Sequence, residues 1–312
     1  MSLKVIGIGE VLWDLMPDGP QLGGAPANFA CHARALGASA SVVSRVGDDD
    51  YGRMILERFQ KLGLPQETVQ IDDAAPTGVV KVTLNGHGVP HFIIQEDVAW
   101  DKLMVTRPAI QAVSEADAIC FGTLAQRSRG SHATIQQLVN MAPPKATRVF
   151  DINLRQAFYT RDVIEQSLRL ANVLKLNDTE LPVLAKMFDL GDSPKKQIEQ
   201  VSQRFKLRLV VLTSGSLGSL LYQEGRWSEQ SPSAVQVMDT VGAGDAFAAA
   251  LVMGLLHGMD LDELHTCASE VAGYVCSQAG ATPALPQKFQ NKFNQLHSLR
   301  SSVSKDGVIM QA

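Results

Sequence analysis

Short apolar runs alternate with amphipathic stretches along most of this 312-residue chain. Six runs are apolar at nearly every position, which predicts strands buried on both faces of a parallel sheet. They lie at residues 4–9, 40–46, 118–121, 148–152, 173–176 and 209–213. Helices are predicted at 27–36, 51–62, 131–141, 162–171, 179–188, 195–205, 243–257 and 261–278. The alternation therefore predicts an α/β fold, a three-layer α/β/α sandwich around a mostly parallel central sheet.

One segment interrupts this alternation. Residues 77–94 alternate apolar and polar side chains around Asn85-Gly86, which predicts an antiparallel hairpin. Residues 11–16 read as another strand of the same small sheet, with Asp14 at its edge. We expect a lid formed by about residues 11–17 and 77–97, inserted in a single domain over residues 1–312, because no repeat or linker marks a second domain.

Charge and composition exclude several classes of protein. The chain has 28 Lys and Arg against 32 Asp and Glu, so no basic surplus attracts nucleic acid or an anionic membrane. The longest apolar run, near residues 246–256, is too short to span a bilayer, and the first residues do not resemble an export signal. Four cysteines without CxxC spacing and seven histidines without metal-ligand spacing indicate reduced thiols and no zinc site. We expect a cytoplasmic protein.

A glycine turn near the C-terminal third points to phosphate chemistry. Residues 239–247 read DTVGAGDAF and continue into an apolar helix predicted to begin near Ala243. The unpaired amides and dipole of that helix N-terminus, with Gly242 and Gly244 allowing close approach, form an anion site. A carboxylate at Asp245 would repel phosphate unless it accepts a proton from an attacking hydroxyl. Gly242, Ala243, Gly244 and Asp245 are therefore the predicted catalytic residues.

Other interpretations of the glycine-rich segments are weaker. The turn lacks the Gly-Lys-Ser/Thr of a Walker loop. Residues 7–12 begin like a dinucleotide fingerprint, but Leu12 stands where the third glycine belongs. A plain tight loop with a first-turn acid at Asp245 stays an alternative.

Three motifs together resemble the ribokinase-like sugar kinases, the pfkB family. They are GGAPAN at 23–28, NDTE at 177–180 and the turn at 239–245, in the family's order and spacing. The resemblance covers about residues 3–297, and GGAPAN with DINLR at 151–155 is most similar to fructokinases and 2-keto-3-deoxygluconate kinases. It implies ATP-dependent phosphorylation of a primary sugar hydroxyl.

The resemblance implies two sets of ligand-binding residues. The set for the sugar is Asp14, Gly23, Gly24, Asn28, Asn153 and Arg155. The set for the nucleotide is Asn177, Thr213, Gly215 and Gly218, with Glu180 acting on Mg²⁺ through water and Asp239, Val241 and Gly280 beside a monovalent cation such as K⁺. Ordinary loops and helix starts are the alternative interpretation of the glycines and of Asn28, and a solvated cation that of Arg155.

Fructose is the expected sugar, with 2-keto-3-deoxygluconate, ribose or a nucleoside as alternatives. A keto acid would need a cation, for which Arg155 or Arg107 could serve. A sugar-binding regulator without catalysis is the alternative from another class, and the presence of Asp245 argues against it. An alternating lid sheet has one apolar face to cover, which suggests a homodimer through the lid, with a monomer that has a mobile lid as the alternative.

Overall fold

The computed structural model describes residues 2–16, 19–84, 90–232 and 235–295. The strands of that part are β1 (Lys4–Ile8), β2 (Leu12–Met16), β3 (Gly19–Gly23), β4 (Ser39–Gly47), β5 (Val69–Asp72), β6 (Val79–Leu84), β7 (Pro90–Ile94), β8 (Ala118–Phe121), β9 (Thr147–Asp151), β10 (Val173–Asn177), β11 (Leu209–Thr213), β12 (Ser219–Gln223) and β13 (Arg226–Gln230). The helices are α1 (Ala25–Ala35), α2 (Asp50–Leu62), α3 (Arg107–Ser114), α4 (Arg129–Asn140), α5 (Arg161–Leu170), α6 (Glu180–Phe188), α7 (Pro194–Phe205), α8 (Ala243–Leu256) and α9 (Leu261–Cys276), with a further helix at 287–295. Short 3₁₀ turns lie at Ala99–Lys102, Leu124–Gln126 and Gly215–Leu217.

Nine strands form the main sheet in the order β13-β12-β11-β10-β9-β8-β1-β4-β5. The seven strands from β11 to β5 are parallel to one another. At one edge of the sheet, β12 pairs antiparallel with β11, and β13 pairs antiparallel with β12. Successive residues of a strand enter opposite cores, as Val5 and Ile6 of β1 do: one core lies under α1, α2, α8 and α9, the other under α3 to α7. The predicted three-layer α/β/α sandwich is confirmed.

The order of the strands marks a crevice in this sheet. β1 pairs with β4 on one side and with β8 on the other, so the chain changes direction across the sheet at β1. Parallel α/β sheets bind ligands outside the carboxyl ends of the strands at such a point. Gly9 and Glu10, which follow β1, therefore stand at the expected place for a ligand.

A second sheet has the order β3-β2-β6-β7. The predicted hairpin of β6 and β7 is antiparallel as expected, and its Asn85-Gly86 turn lies outside the described residues. β3, which the sequence pattern did not indicate, joins β2 antiparallel, and β2 pairs parallel with β6. The indole Nε1 of Trp13 on β2 donates to the Tyr51 carbonyl at 3.0 Å, which ties this small sheet to α2.

Several other elements were not predicted, namely β5, α3 and the β12–β13 hairpin. The hairpin turns at Glu224 and Gly225, whose φ angles of 49° and 88° are both left-handed, as a two-residue hairpin turn requires. Glutamate is unusual at the first of these positions, so the sequence lacked the usual Asn-Gly signal. Within the described ranges, no helix is both long and apolar enough to cross a membrane.

Candidate active site

The glycine turn ends in a bare helix N-terminus. α8 begins at Ala243, where the sequence predicted it, and the preceding Gly242 has a left-handed φ of 77°. A Cβ at Gly242 would lie 2.2 Å from the Ala281 carbonyl oxygen, so both conformation and space require glycine. No side chain of the N-cap residue caps the helix, and the amides of Ala243 and Gly244 lie in its first turn, the part of a helix that attracts anions.

The helix that follows the GGAPAN glycines meets α8 at this point. Gly24, with φ 103°, immediately precedes α1, again without a side-chain cap. On the first turn of α1, Asn28 is buried, and its Nδ2 donates to the Asp245 Oδ2 at 2.9 Å. The sugar-side and phosphate-side motifs, 217 residues apart in the chain, are therefore joined through one hydrogen bond.

Burial raises the pKa of Asp245 to about 7, and the nearby Asp151 carboxylate adds to this shift. The Asn28 amide, the Lys175 ammonium group and the Arg155 guanidinium group act in the opposite direction. A carboxylate with a pKa near neutrality accepts a proton more readily than an ordinary aspartate. Asp245 thus has the electrostatic properties of a general base.

Glu10 belongs to this site although the motifs did not single it out. It is 1% exposed, and burial raises the pKa of its carboxyl group to about 7. The Ala25 amide at the start of α1 donates to it, whereas its Oε2 has no hydrogen-bond partner. The rule that ligands lie after parallel strands would have found Glu10, because it follows β1.

Asp14 and Arg155 lie near enough to interact electrostatically. Asp14 lies on β2 of the small sheet, and burial raises the pKa of its carboxyl group to about 6. A Cβ at Gly23 would lie 2.4 Å from the Asp14 Oδ2, so this glycine lets the carboxylate pack against the backbone. The exposed Arg155 acts electrostatically on Asp14, Glu10 and Asp245 and lowers the pKa of all three.

The loop after β9 is held in position by buried side chains. Asn153 has a left-handed φ of 43°. The Thr123 hydroxyl donates to the Ile152 carbonyl at 2.8 Å, and the Leu154 amide donates to the Glu180 carboxylate at 2.8 Å. These bonds fix the backbone on either side of Asn153 and immediately before Arg155.

The predicted nucleotide residues form a second group at the ends of β10 and β11. Asn177 and Thr213 are partners in the register of these strands. The Asn177 Oδ1 accepts from the Thr179 and Glu180 amides at the start of α6. Gly215 and Gly218 follow with left-handed φ angles of 51° and 96°.

Glu180 has a structural role in addition to the one predicted for it. Its two carboxylate oxygens accept from the amides of Leu154 and Asn177, each at 2.8 Å. Burial and the Asp151 charge raise its pKa. Glu180 therefore joins the loop after β9 to the end of β10, between the two groups of predicted residues.

Asp239 joins the glycine turn to the loop after α9. Its Oδ1 accepts from the Val241 amide and its Oδ2 from the Gly280 amide, both at 3.0 Å. Gly280 has a φ of 80°, and a Cβ there would lie 3.8 Å from the Gln21 side chain of β3. The Asp239 carboxylate therefore holds the three residues predicted for a monovalent cation next to one another.

The sequence is similar to those of known carbohydrate kinases. The model of the pfkB family carbohydrate kinases matches residues 20–288. A Klebsiella pneumoniae fructokinase is 29% identical over 307 residues, which cover 92% of this chain and 98% of that one. A Pyrococcus horikoshii sugar kinase is 30% identical over 267 residues, 83% of this chain and 82% of that one.

Solved structures share the fold. The P. horikoshii sugar kinase in complex with ATP has a TM-score of 0.75 and 27% identity, covering 89% of this chain and 94% of that one. A Vibrio cholerae fructokinase in its fructose, ADP and potassium ion bound form has a TM-score of 0.76 and 23% identity, covering 93% and 98%. This chain belongs to the pfkB family of carbohydrate kinases and is an ATP-dependent sugar kinase.

Proposed function

We propose that this kinase transfers the γ-phosphoryl group of ATP to a primary hydroxyl of fructose. The observation that supports a neutral sugar most directly is the charge around Arg155, which acts on Glu10, Asp14 and Asp245. Three carboxyl groups around one guanidinium group offer acceptors for hydroxyl donors and disfavour a substrate that is itself anionic. The similarity to the K. pneumoniae fructokinase supports the same choice.

In the proposed reaction the sugar lies between Asp14 and α1, where Gly23, Gly24 and Asn28 contact it. Its primary hydroxyl approaches Asp245, and the γ-phosphoryl group of ATP lies over the amides of Gly242, Ala243 and Gly244. The hydroxyl oxygen attacks phosphorus in line, its proton passes to the Asp245 carboxylate, and ADP leaves with the bridging oxygen. The α8 dipole stabilises the charge on the transferred group.

Two cations complete this proposal. Among the described residues, no group of three or more His, Cys, Asp or Glu side chains could hold a metal ion. Mg²⁺ would therefore be held by the ATP phosphates and water, with Asn177 and Glu180 nearby, which suits an ion that keeps several waters. K⁺ at Asp239, Val241 and Gly280 would fix the backbone of the glycine turn.

The β3-β2-β6-β7 sheet is the proposed lid of a single kinase domain. It holds Asp14 and Gly23, so its movement would open and close the sugar site and exclude water. Its strands have a partly apolar composition, and we propose a homodimer that covers one face of them. The four cysteines are free thiols, which agrees with a cytoplasmic enzyme.

The main alternative substrate is 2-keto-3-deoxygluconate. Its carboxylate would need a cation, but we assign Arg155 to the transferred phosphoryl group, and the carboxyl groups on which it acts oppose a second anion. A coupled assay of ADP release with fructose, 2-keto-3-deoxygluconate, ribose and adenosine separates these substrates. We expect fructose to give the highest kcat/KM by at least roughly tenfold. A higher value for any of the other three would refute the assignment of fructose.

The pH dependence tests the assignment of Asp245 as base. Since the pKa of Asp245 is about 7, its carboxylate is protonated below that pH and cannot accept the hydroxyl proton. We expect kcat/KM for the sugar to fall about tenfold for each pH unit below 7 and to level off above it. Glu10 and Asp14, with pKa values of about 7 and 6, titrate nearby and can make the fall steeper. An acid limb centred near pH 4 would contradict a raised pKa for the base.

Arg155 is the proposed partner of the transferred phosphoryl group. Replacement by Ala should lower kcat/KM roughly 10- to 100-fold, because a cation is lost from the transition state. The same change should move the acid limb to higher pH, since Arg155 lowers the pKa of Asp245. Arg129→Ala is a matched control, because it removes an exposed arginine at the start of α4. Equal activity of Arg155→Ala and the control would exclude the proposed role.

A further inference from the structure

A buried ion pair lies beneath the catalytic turn. Lys175 on β10 and Asp151 on β9 are partners in the register of adjacent parallel strands, and the Lys175 Nζ lies 2.8 Å from the Asp151 Oδ2. The two side chains are only 7% and 9% exposed. Lysine and aspartate are almost never this buried unless they are paired.

The pair faces the layer that contains α8. Val149 and Val173, which lie two residues before Asp151 and Lys175 on the same strands, belong to the core under α1, α8 and α9. A Cβ at Gly244 would lie 3.3 Å from the Lys175 Nζ. The ammonium group therefore lies close to the backbone of Gly244, in the first turn of α8.

Stability does not explain such a pair. The desolvation of two charges offsets most of their attraction, and apolar residues of similar size are often at least as stable in the same place. The neighbouring residues of β10 are apolar, as expected for a strand buried on both faces. The clearest effect of a lysine in this strand is the positive charge that it places near Gly244 and Asp245.

The two charges of the pair shift the pKa of Asp245 in opposite directions. The Asp151 carboxylate raises the pKa of Asp245, and the Lys175 ammonium group lowers it. Lys175 itself stays a cation, because Asp151 raises its pKa despite burial. Asp245 interacts electrostatically with other charged or titratable groups, namely Glu10, Cys31, Cys120, Asp151, Arg155 and Lys175.

We propose that Lys175 and Asp151 are positioning residues for phosphoryl transfer: Asp151 holds the Lys175 ammonium group behind Gly244, where it sets the charge balance beneath Asp245 and adds positive charge to the phosphoryl site. Neither side chain touches the reacting atoms. The inference rests on the proposed function of the Asp245 site, and it assigns to two buried residues of the central sheet a part in that chemistry.

Three variants test this inference: Lys175→Met, Asp151→Asn and the double variant. Lys175→Met leaves the Asp151 charge uncompensated, so the midpoint of the acid limb of kcat/KM should rise by about one pH unit. Asp151→Asn leaves the ammonium group alone, so the midpoint should fall. The double variant removes both charges, and its midpoint should lie between those of the single variants. The two variants without the ammonium group should also lose roughly tenfold in kcat.

The control is Lys4→Met, which removes one partner of the exposed Lys4–Glu115 pair at the opposite end of β1. It should leave the midpoint unchanged. A purely structural pair would lower the melting temperature of the variants without shifting their midpoints, and that result would overturn the inference. If Lys175→Met does not fold, Asp151→Asn and the double variant still decide, because a common midpoint for these two is incompatible with the proposal.

The test separates this inference from the proposed function. Activity of the unmodified enzyme on the sugars tests the function and does not depend on Lys175. The midpoints are compared with whichever sugar is phosphorylated, so a wrong assignment of fructose does not affect them. If the variants are active kinases whose midpoints are unshifted, the inference about Lys175 and Asp151 is overturned and the proposed function is unaffected.

Discussion

Replacement of Asp245 by Asn is expected to lower kcat roughly 10³-fold with little change in sugar or ADP binding. General base catalysis contributes about 10²- to 10⁴-fold, and an amide cannot accept the hydroxyl proton. The oxygen of Asn can still accept from the Asn28 Nδ2, so the hydrogen bond between the two helix starts is kept. Steady-state kinetics and calorimetric titration with fructose and ADP measure both quantities. A variant with near-normal turnover would show that Asp245 is not the base.

The same variant should be more stable than the unmodified protein above pH 7. The pKa of Asp245 in the folded protein, about 7, lies above its ordinary value of 3.8. Between these pH values the folded state binds more protons than the unfolded state, so the contribution of this group to stability falls as pH rises. Asn does not ionise, so the variant does not lose this stability as the pH rises. We expect a melting temperature a few degrees higher at pH 8, and a difference that vanishes towards pH 4.

Replacement of Gly242 by Ala is the second change with a large expected effect. A left-handed φ of 77° costs alanine roughly 1–2 kcal/mol, and the added Cβ would meet the Ala281 oxygen at 2.2 Å. That oxygen also accepts from the Nε2 of the buried His32 at 2.9 Å, so its movement would disturb α1 as well. We expect kcat/KM to fall at least about 100-fold, because the α8 amides leave their positions.

A control separates strain from the loss of the site. Gly225, in the β12–β13 turn, has a φ of 88°, and a Cβ there would meet nothing within 4 Å. Gly225→Ala should therefore lower the melting temperature through backbone strain and leave kcat/KM unchanged. Comparable losses of activity in both variants would mean that the close approach of Gly242 to Ala281 is not what the site requires.

The parts of the site that the sequence predicted are those coded locally. The glycine turn, the start of α8 and the helix after Gly24 follow from a few consecutive residues, and the structure has these elements at the predicted positions. The alternation of buried strands and helices was likewise sufficient for the fold, since each strand enters both cores. The ligand roles of the individual residues stay predictions, and the contact between Asn28 and Asp245 is a finding of the structure that the motifs did not predict.

The parts that the sequence did not reveal depend on contacts between distant strands. In the sequence, Lys175 is one polar residue in a short apolar strand. Its proposed role depends on its ion pair with Asp151, 24 residues away, and on its proximity to Gly244. Glu10 follows β1, but the Ala25 amide and the Arg155 guanidinium group that act on its carboxyl group come from α1 and the loop after β9. A charged residue inside an apolar strand and an acid directly after one are the two signals that would have found them.

The central claim is that Asp245 receives the proton of a sugar hydroxyl that attacks phosphate at the start of α8. The most direct measurement is a crystal structure of the enzyme with fructose, Mg²⁺ and a non-hydrolysable ATP analogue. We predict one primary hydroxyl within hydrogen-bond distance of an Asp245 oxygen, in line with a γ-phosphoryl group that contacts the amides of the Gly242–Gly244 turn. A sugar whose hydroxyls all lie away from Asp245 in the closed complex, or a γ-phosphoryl group bound elsewhere, would contradict the account.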